Sequence, residues 1–125
     1  MDNKFIFTLM IFCHFIGDFT LQKEWISMAK SKSYWKAIDR CKNDYIPVLI
    51  NHSICWTFMI MLPIAISYNY KPPAAFYILF IMNTLIHTFI DNLKASKNII
   101  NLIVDQLLHF IQILISFITL VSWIY

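Results

Sequence analysis

All four histidines of the chain, His14, His52, His87 and His109, lie inside apolar stretches long enough for membrane helices, one in each. Three of those stretches add an aspartate four residues away, pairing His14 with Asp18, His87 with Asp91, and Asp105 with His109. Residues four apart on a helix share a face, so each pair presents an imidazole beside a carboxylate. Such groups are ligands for zinc, manganese or iron, and they also serve as general acids and bases. A charged Asp at the centre of a membrane helix costs roughly 2.5–3.5 kcal/mol on insertion scales. Placing these histidines and aspartates in hydrocarbon therefore calls for a compensating partner or purpose.

The elements that must position them follow from hydropathy. Apolar stretches cover about residues 5–21, 46–68, 74–90 and 99–125, close to the roughly 20 residues that cross a bilayer as a helix. The chain is 59% hydrophobic and 14% charged, with a mean hydropathy of +0.62, so the bilayer is the expected solvent. One domain over residues 1–125 is predicted, an all-α integral membrane antiparallel four-helix bundle. The first stretch reads as a span rather than a signal peptide, because it carries His14 and Asp18 and has no clear small-residue cleavage site. Pro72 and Pro73 mark a tight turn between the second and third helices, and Pro63 predicts a kink in the second. Cys13, Cys41 and Cys55 are odd in number and lack CxxC spacing, so neither a disulfide framework nor a thiolate zinc site is supported, and packing roles are expected.

The net charge of +3 does not point to nucleic acid, since the basic residues sit beside apolar spans rather than along one soluble face. The link after helix one carries Lys23, Lys30, Lys32, Lys36, Arg40 and Lys42, and the link after helix three carries Lys94 and Lys97. Only Lys4 and Lys71 fall on the other side. Basic links stay cytoplasmic, so both termini are expected outside, in a bacterial inner membrane. Within the long link, Tyr34, Ile38, Cys41 and Tyr45 recur at helical spacing opposite lysines, predicting an amphipathic interfacial segment. Trp25 and Trp35 would anchor it, with its lysines against anionic lipid headgroups.

Depth can be counted from the cytoplasmic helix ends of an antiparallel bundle. At 1.5 Å per residue, His14 lies about 12 Å in, His52 about 9 Å, His87 about 6 Å and His109 about 15 Å. One layer in the cytoplasmic half thus holds every histidine, together with Asp18, Asp91 and Asp105. Four-helix bundles commonly build metal sites from such inward-facing groups. The expected ligands are His14, His52, His87 and His109, with Asp91 and Asp105 next; Asp18 and Asp105 are the candidate proton-transfer groups. Two metals, or one metal with orienting aspartates, both fit this count. Gln22 and Gln106 read as helix-end hydrogen bonders. Lys94 most simply snorkels to the interface, with an alternative role in receiving an anionic headgroup or phosphate.

The runs H-F-I-G-D-F-T-L-Q from His14 to Gln22, H-T-F-I-D-N-L-K from His87 to Lys94, and D-Q-L-L-H from Asp105 to His109 resemble a bacterial and phage family. Its members are small membrane proteins catalogued as a domain of unknown function. The resemblance covers nearly the whole chain and places His14, Asp18, Gln22, His52, His87, Asp91, Lys94, Asp105, Gln106 and His109 at motif positions. It implies a fold and no reaction. The chain is also similar in style to membrane-bound metal-dependent hydrolases, although their motifs do not match residue by residue.

Three functions compete. The first is a membrane-embedded hydrolase using a divalent transition metal, zinc foremost and manganese or iron as alternatives, on a lipid or lipid-linked substrate bound by Lys94, Gln22 and Gln106. The second is a proton or divalent-metal carrier, which would need a polar path to the far side. The third is a non-catalytic phage or host membrane factor whose polar layer only organises the bundle, with homo-oligomers as an option.

Overall fold

The structure, a computed structural model, describes residues 2–121. These residues are all-helical: α1 (Asn3–Phe15) runs into a π-helical turn (Ile16–Thr20), followed by α2 (Glu24–Ala29), α3 (Lys32–Ala37), α4 (Tyr45–Ser67), α5 (Ala74–Ala95) and α6 (Leu102–Leu120). Three of them, α4, α5 and α6, are long and apolar enough to cross a membrane. Their outer faces carry exposed Phe58, Ile81, Phe89, Leu107 and Ile115, a surface suited to lipid rather than water.

The first apolar stretch does not form one regular α-helix as its composition suggests. Its α-helical part ends at Phe15, and the Leu21 N–H reaches back five residues to the Ile16 carbonyl at 2.8 Å. Gly17 sits in this π turn, where an added Cβ would stand 3.3 Å from the Trp56 Cα. The sole glycine of the chain thus lets the π turn approach the α4 backbone closely. Helix α4 runs unbroken through Pro63. Prolines 72 and 73, with Pro73 extended at φ −67° and ψ 164°, lead into α5. Left-handed Asn69 and Tyr70, at φ 52° and 59°, complete the reversal before them. Asn101 starts α6 by accepting the Val104 N–H at 2.9 Å.

The long link also departs from expectation. In place of one amphipathic helix through Tyr34, Ile38, Cys41 and Tyr45, α3 stops at Ala37 and Asp39 turns left-handed at φ 53°. Helix propensity over so short a run cannot outweigh such a break. Of the cysteines, Cys13 is half-buried while Cys41 and Cys55 are exposed, so the expected packing role fails for the last two.

Helix α4 is the hub, packing on α1, α5, the π turn and α2, while α6 packs on α5 and touches α1 and α4. An apolar core of Ile6, Met10, Ile60, Ile64, Phe76 and Ile113 fills the middle away from the basic links. Toward those links the interior becomes polar.

Candidate metal centre

Asp91, fully buried, is the centre of the polar layer. Its Oδ2 stands 3.5 Å from His52 Nε2 and 3.8 Å from His87 Nε2, while its Oδ1 stands 3.7 Å from His109 Nε2. His52 Nε2 also lies 3.4 Å from Asp18 Oδ1, and His109 Nε2 lies 3.4 Å from Asp105 Oδ1. None of these contacts has hydrogen-bond geometry. His52 Nε2, both nitrogens of His87, His109 Nε2, Asp91 Oδ1 and Asp105 Oδ1 are buried without a hydrogen-bond partner among the described residues. Each such orphan costs about 1–3 kcal/mol.

The network around His109 fixes which atom faces this gap. Gln112 Nε2 donates to the Asn83 carbonyl at 3.1 Å and to Asn83 Oδ1 at 3.3 Å, so Gln112 Oε1 is the atom 3.2 Å from His109 Nδ1. The imidazole must donate there, and in a neutral ring Nε2 then presents a lone pair to the carboxylate oxygens of Asp91 and Asp105. Acceptors facing acceptors repel unless a proton on Nε2 or a bound cation lies between them. An ion bound tetrahedrally at 2.0–2.1 Å spaces its ligand atoms roughly 3.3 Å apart, close to the 3.4 and 3.5 Å separations at His52. Ligand atoms of Asp18, His52, His87 and Asp91 lie within 4.8 Å of one another, as do those of Asp18, Asp105 and His109. These two buried groups, which share Asp18, could hold a metal ion.

Aromatic packing holds the rings in place. His87 lies against Trp56, with centroids 4.2 Å apart, and against His109 at 4.1 Å. Outer polar groups orient the carboxylates. Lys94 Nζ donates to Asp105 Oδ2 at 2.6 Å, and Gln106 Nε2 donates to Asp18 Oδ2 at 2.7 Å and Asp105 Oδ2 at 3.1 Å. Lys30, only 2% exposed, donates to Asp91 Oδ2 at 2.5 Å and Gln22 Oε1 at 2.6 Å. A cavity of about 290 Å³ opens above the layer, lined by Asp18, Gln22, Ser27, Lys30, Lys94 and Leu102 among others.

His14 stands apart from both ligand groups. Its Nδ1 accepts from the Trp56 indole N–H at 2.9 Å, and its Nε2 lies 3.0 Å from Gln106 Oε1. Since Nδ1 accepts, Nε2 carries the proton and donates, leaving no lone pair for a metal. The expected His14–Asp18 side-by-side pair does not form either, because the π turn that starts at Ile16 changes the helical repeat between them. Every other histidine and aspartate of the predicted layer comes together, with Gln22, Lys94 and Gln106 around them.

Sequence reasoning passed over Lys30 and Trp56. Trp56 had a signal, since it lies four residues after His52 on the same face. Lys30 had none, being one lysine among several in a basic link. The hydrogen-bonded chain from His109 through Gln112 and Asn83 to Ser116, where Asn83 Nδ2 donates at 2.7 Å, supports a prediction. Gln112→Leu should lower metal affinity about 10- to 100-fold, the usual effect of losing a group that orients a ligand histidine. Chelator competition on purified protein measures it, and an unchanged affinity would remove this role from Gln112.

A family model described as "Protein of unknown function (DUF3307)" matches residues 6–124. The chain belongs to that family. No curated protein and no solved structure matches it significantly.

Proposed function

We propose that this DUF3307 member is a membrane-embedded metal-dependent hydrolase that acts on a lipid or lipid-linked substrate from the cytoplasmic leaflet. The observation that carries this reading is the set of buried nitrogens and carboxylate oxygens of His52, His87, His109, Asp91 and Asp105 that have no hydrogen-bond partner among the described residues. A bundle that used these groups only for structure would have satisfied them, because interhelical polar contacts in membranes contribute little unless they are made.

In this reading α1 with its π turn, α4, α5 and α6 form an antiparallel four-helix membrane bundle, a single unit with both termini outside a bacterial inner membrane. The mixed imidazole and carboxylate set suits zinc, with manganese or iron as alternatives. When bound, the ion supplies Lewis-acid charge and makes water more acidic. His52, His87 and Asp91 would hold it, with His109 and Asp105 at an adjoining position. Asp18 lines the open cavity and is the aspartate placed to take a proton from attacking water. Asp105 is absent from that lining and fully buried, which favours a ligand role over proton transfer. Lys94 and Gln22 face arriving substrate, whereas Gln106 positions Asp18 and His14.

A carrier needs a polar route across the bundle. The polar chain from His109 turns back instead at Ser116, whose hydroxyl donates to the Gln112 carbonyl at 2.9 Å, and the apolar core lies beyond. The one-sided opening therefore favours the hydrolase.

Purified protein should hold near-stoichiometric transition metal by elemental analysis and release product from phospholipid or lipid-linked substrates. A chelator should abolish that release and zinc should restore it. His14→Ala should keep its metal while His87→Ala loses it. Wild-type protein without metal, together with full function in His87→Ala cells, would overturn the reading.

A further inference from the structure

The cavity above the layer has a donor-rich rim, and Asp18 is the residue of the two ligand groups that lines it. On the rim, Lys94 Nζ spends one hydrogen bond, on Asp105, and Lys30 Nζ spends two, on Asp91 and Gln22. An ammonium has three N–H groups, so both retain donors. Gln22 uses its Oε1 on Lys30 and leaves its amide N–H groups unspent, and the exposed Ser27 hydroxyl has no side-chain hydrogen bond. Four residues thus offer free donors to one space of about 290 Å³.

Charge points the same way. Asp18, Asp91 and Asp105 outnumber Lys30 and Lys94 by one, so a divalent ion in the layer leaves the site net positive while the imidazoles are neutral. A buried positive excess is relieved by an anion at the adjoining donors.

A separate apolar groove lies farther along the α1–α6 seam. Phe19, at the end of the π turn, and Leu102, at the start of α6, line the polar cavity. Farther along the same two helices, Phe7, Ile11, Leu107, Phe110, Ile111 and Leu114 enclose a second cavity of about 420 Å³ with almost no polar groups. Phe15 lies between them, its ring 6.0 Å from Phe110 and 6.2 Å from Phe19. A polar head pocket and an apolar groove along one helix seam match a molecule that is itself anionic at one end and hydrocarbon at the other.

We infer that the ligand is a phosphate-bearing lipid, with its phosphate held by Gln22, Ser27, Lys30 and Lys94 and one hydrocarbon chain lying in the α1–α6 seam. That this lipid is also the substrate rests on the hydrolase reading; its binding rests only on the metal that this reading puts in the layer, not on hydrolysis. The positive rim selects the phosphate, and the seam selects lipid over free phosphate.

Binding to the full chain in detergent, with and without chelator, tests it using three probes: inorganic phosphate, phosphatidic acid and uncharged diacylglycerol. Phosphatidic acid should bind at least about tenfold more tightly than either of the others, since each lacks one recognised part. Ser27→Glu, on an exposed surface, sets a negative charge at the rim and should weaken phosphatidic acid and inorganic phosphate by at least about tenfold. Ile111→Trp fills the lipid-facing seam and should weaken phosphatidic acid alone. Equal binding of diacylglycerol, or phosphatidic acid binding unaltered in both variants, would overturn the inference. Metal content is read in the same samples. Metal without phosphate selectivity sinks the inference and spares the hydrolase; metal with phosphate selectivity but no product release does the reverse.

Discussion

Asp91→Asn is expected to lower metal affinity by more than about 100-fold, beyond the range for groups that merely orient a ligand. The substitution keeps shape and removes charge at the one carboxylate that approaches His52, His87 and His109 together. A stability effect accompanies it, because Lys30, 2% exposed, loses the anion on which its ammonium depends. Removing one partner of a buried pair costs about 3–5 kcal/mol, whereas removing both is often neutral. The double variant Asp91→Asn with Lys30→Met should therefore recover most of the lost thermal stability and none of the metal. Elemental analysis after size-exclusion chromatography and thermal unfolding in detergent separate the two effects. Stoichiometric metal in Asp91→Asn would exclude Asp91 as a ligand.

Lys30→Met alone should behave in the opposite sense with respect to metal. In metal-free protein it strands Asp91, and a loss of about 3–5 kcal/mol follows. Metal then supplies the missing positive charge, and free ion at about 1,000 times its Kd returns roughly 4 kcal/mol. In the wild type the ion must share Asp91 Oδ2 with the Lys30 ammonium 2.5 Å away; in the variant it need not. The variant should accordingly bind zinc more tightly than the wild type, and the stability gap between them should shrink as zinc is added, by about 1.4 kcal/mol for each tenfold difference in Kd. A gap that stays constant across the titration would show that Lys30 and metal do not act on the same carboxylate.

The layer was legible where chemistry and periodicity coincide. His87 with Asp91, and Asp105 with His109, lie one turn apart on regular helices and meet as that spacing dictates. Depth counting placed His52 among them without any acidic partner on its own helix, and the structure sets it between Asp18 and Asp91. His14 escaped the same logic because its local geometry is not α-helical. A π turn lets Asp18 face His52 while His14 faces Trp56 and Gln106, and residue spacing carries that shift only through the presence of Gly17. Lys30 escaped for a different reason. Nothing in its neighbours separates it from Lys32 or Lys36, and its burial depends on where a six-residue helix docks, a tertiary fact without a local signature. The expected amphipathic helix over residues 34–45 failed because apolar spacing does not report the left-handed residue at Asp39.

Ser96, at the end of α5, has a consequence for recombination among relatives. Its hydroxyl donates to the Lys30 carbonyl and accepts the Lys32 N–H, both at 3.2 Å. Meanwhile the Trp35 indole closes the same turn onto the Ala29 carbonyl at 2.8 Å. The segment between α2 and α3 is therefore buttoned to a helix that follows it by more than a whole span. Chimeras that swap the basic link as an independent cassette would carry Lys30 without its fastening, and charge-reversal series used to map orientation would confound insertion with loss of the centre. The cassette that can travel intact is the link together with the carboxyl-terminal turn of α5.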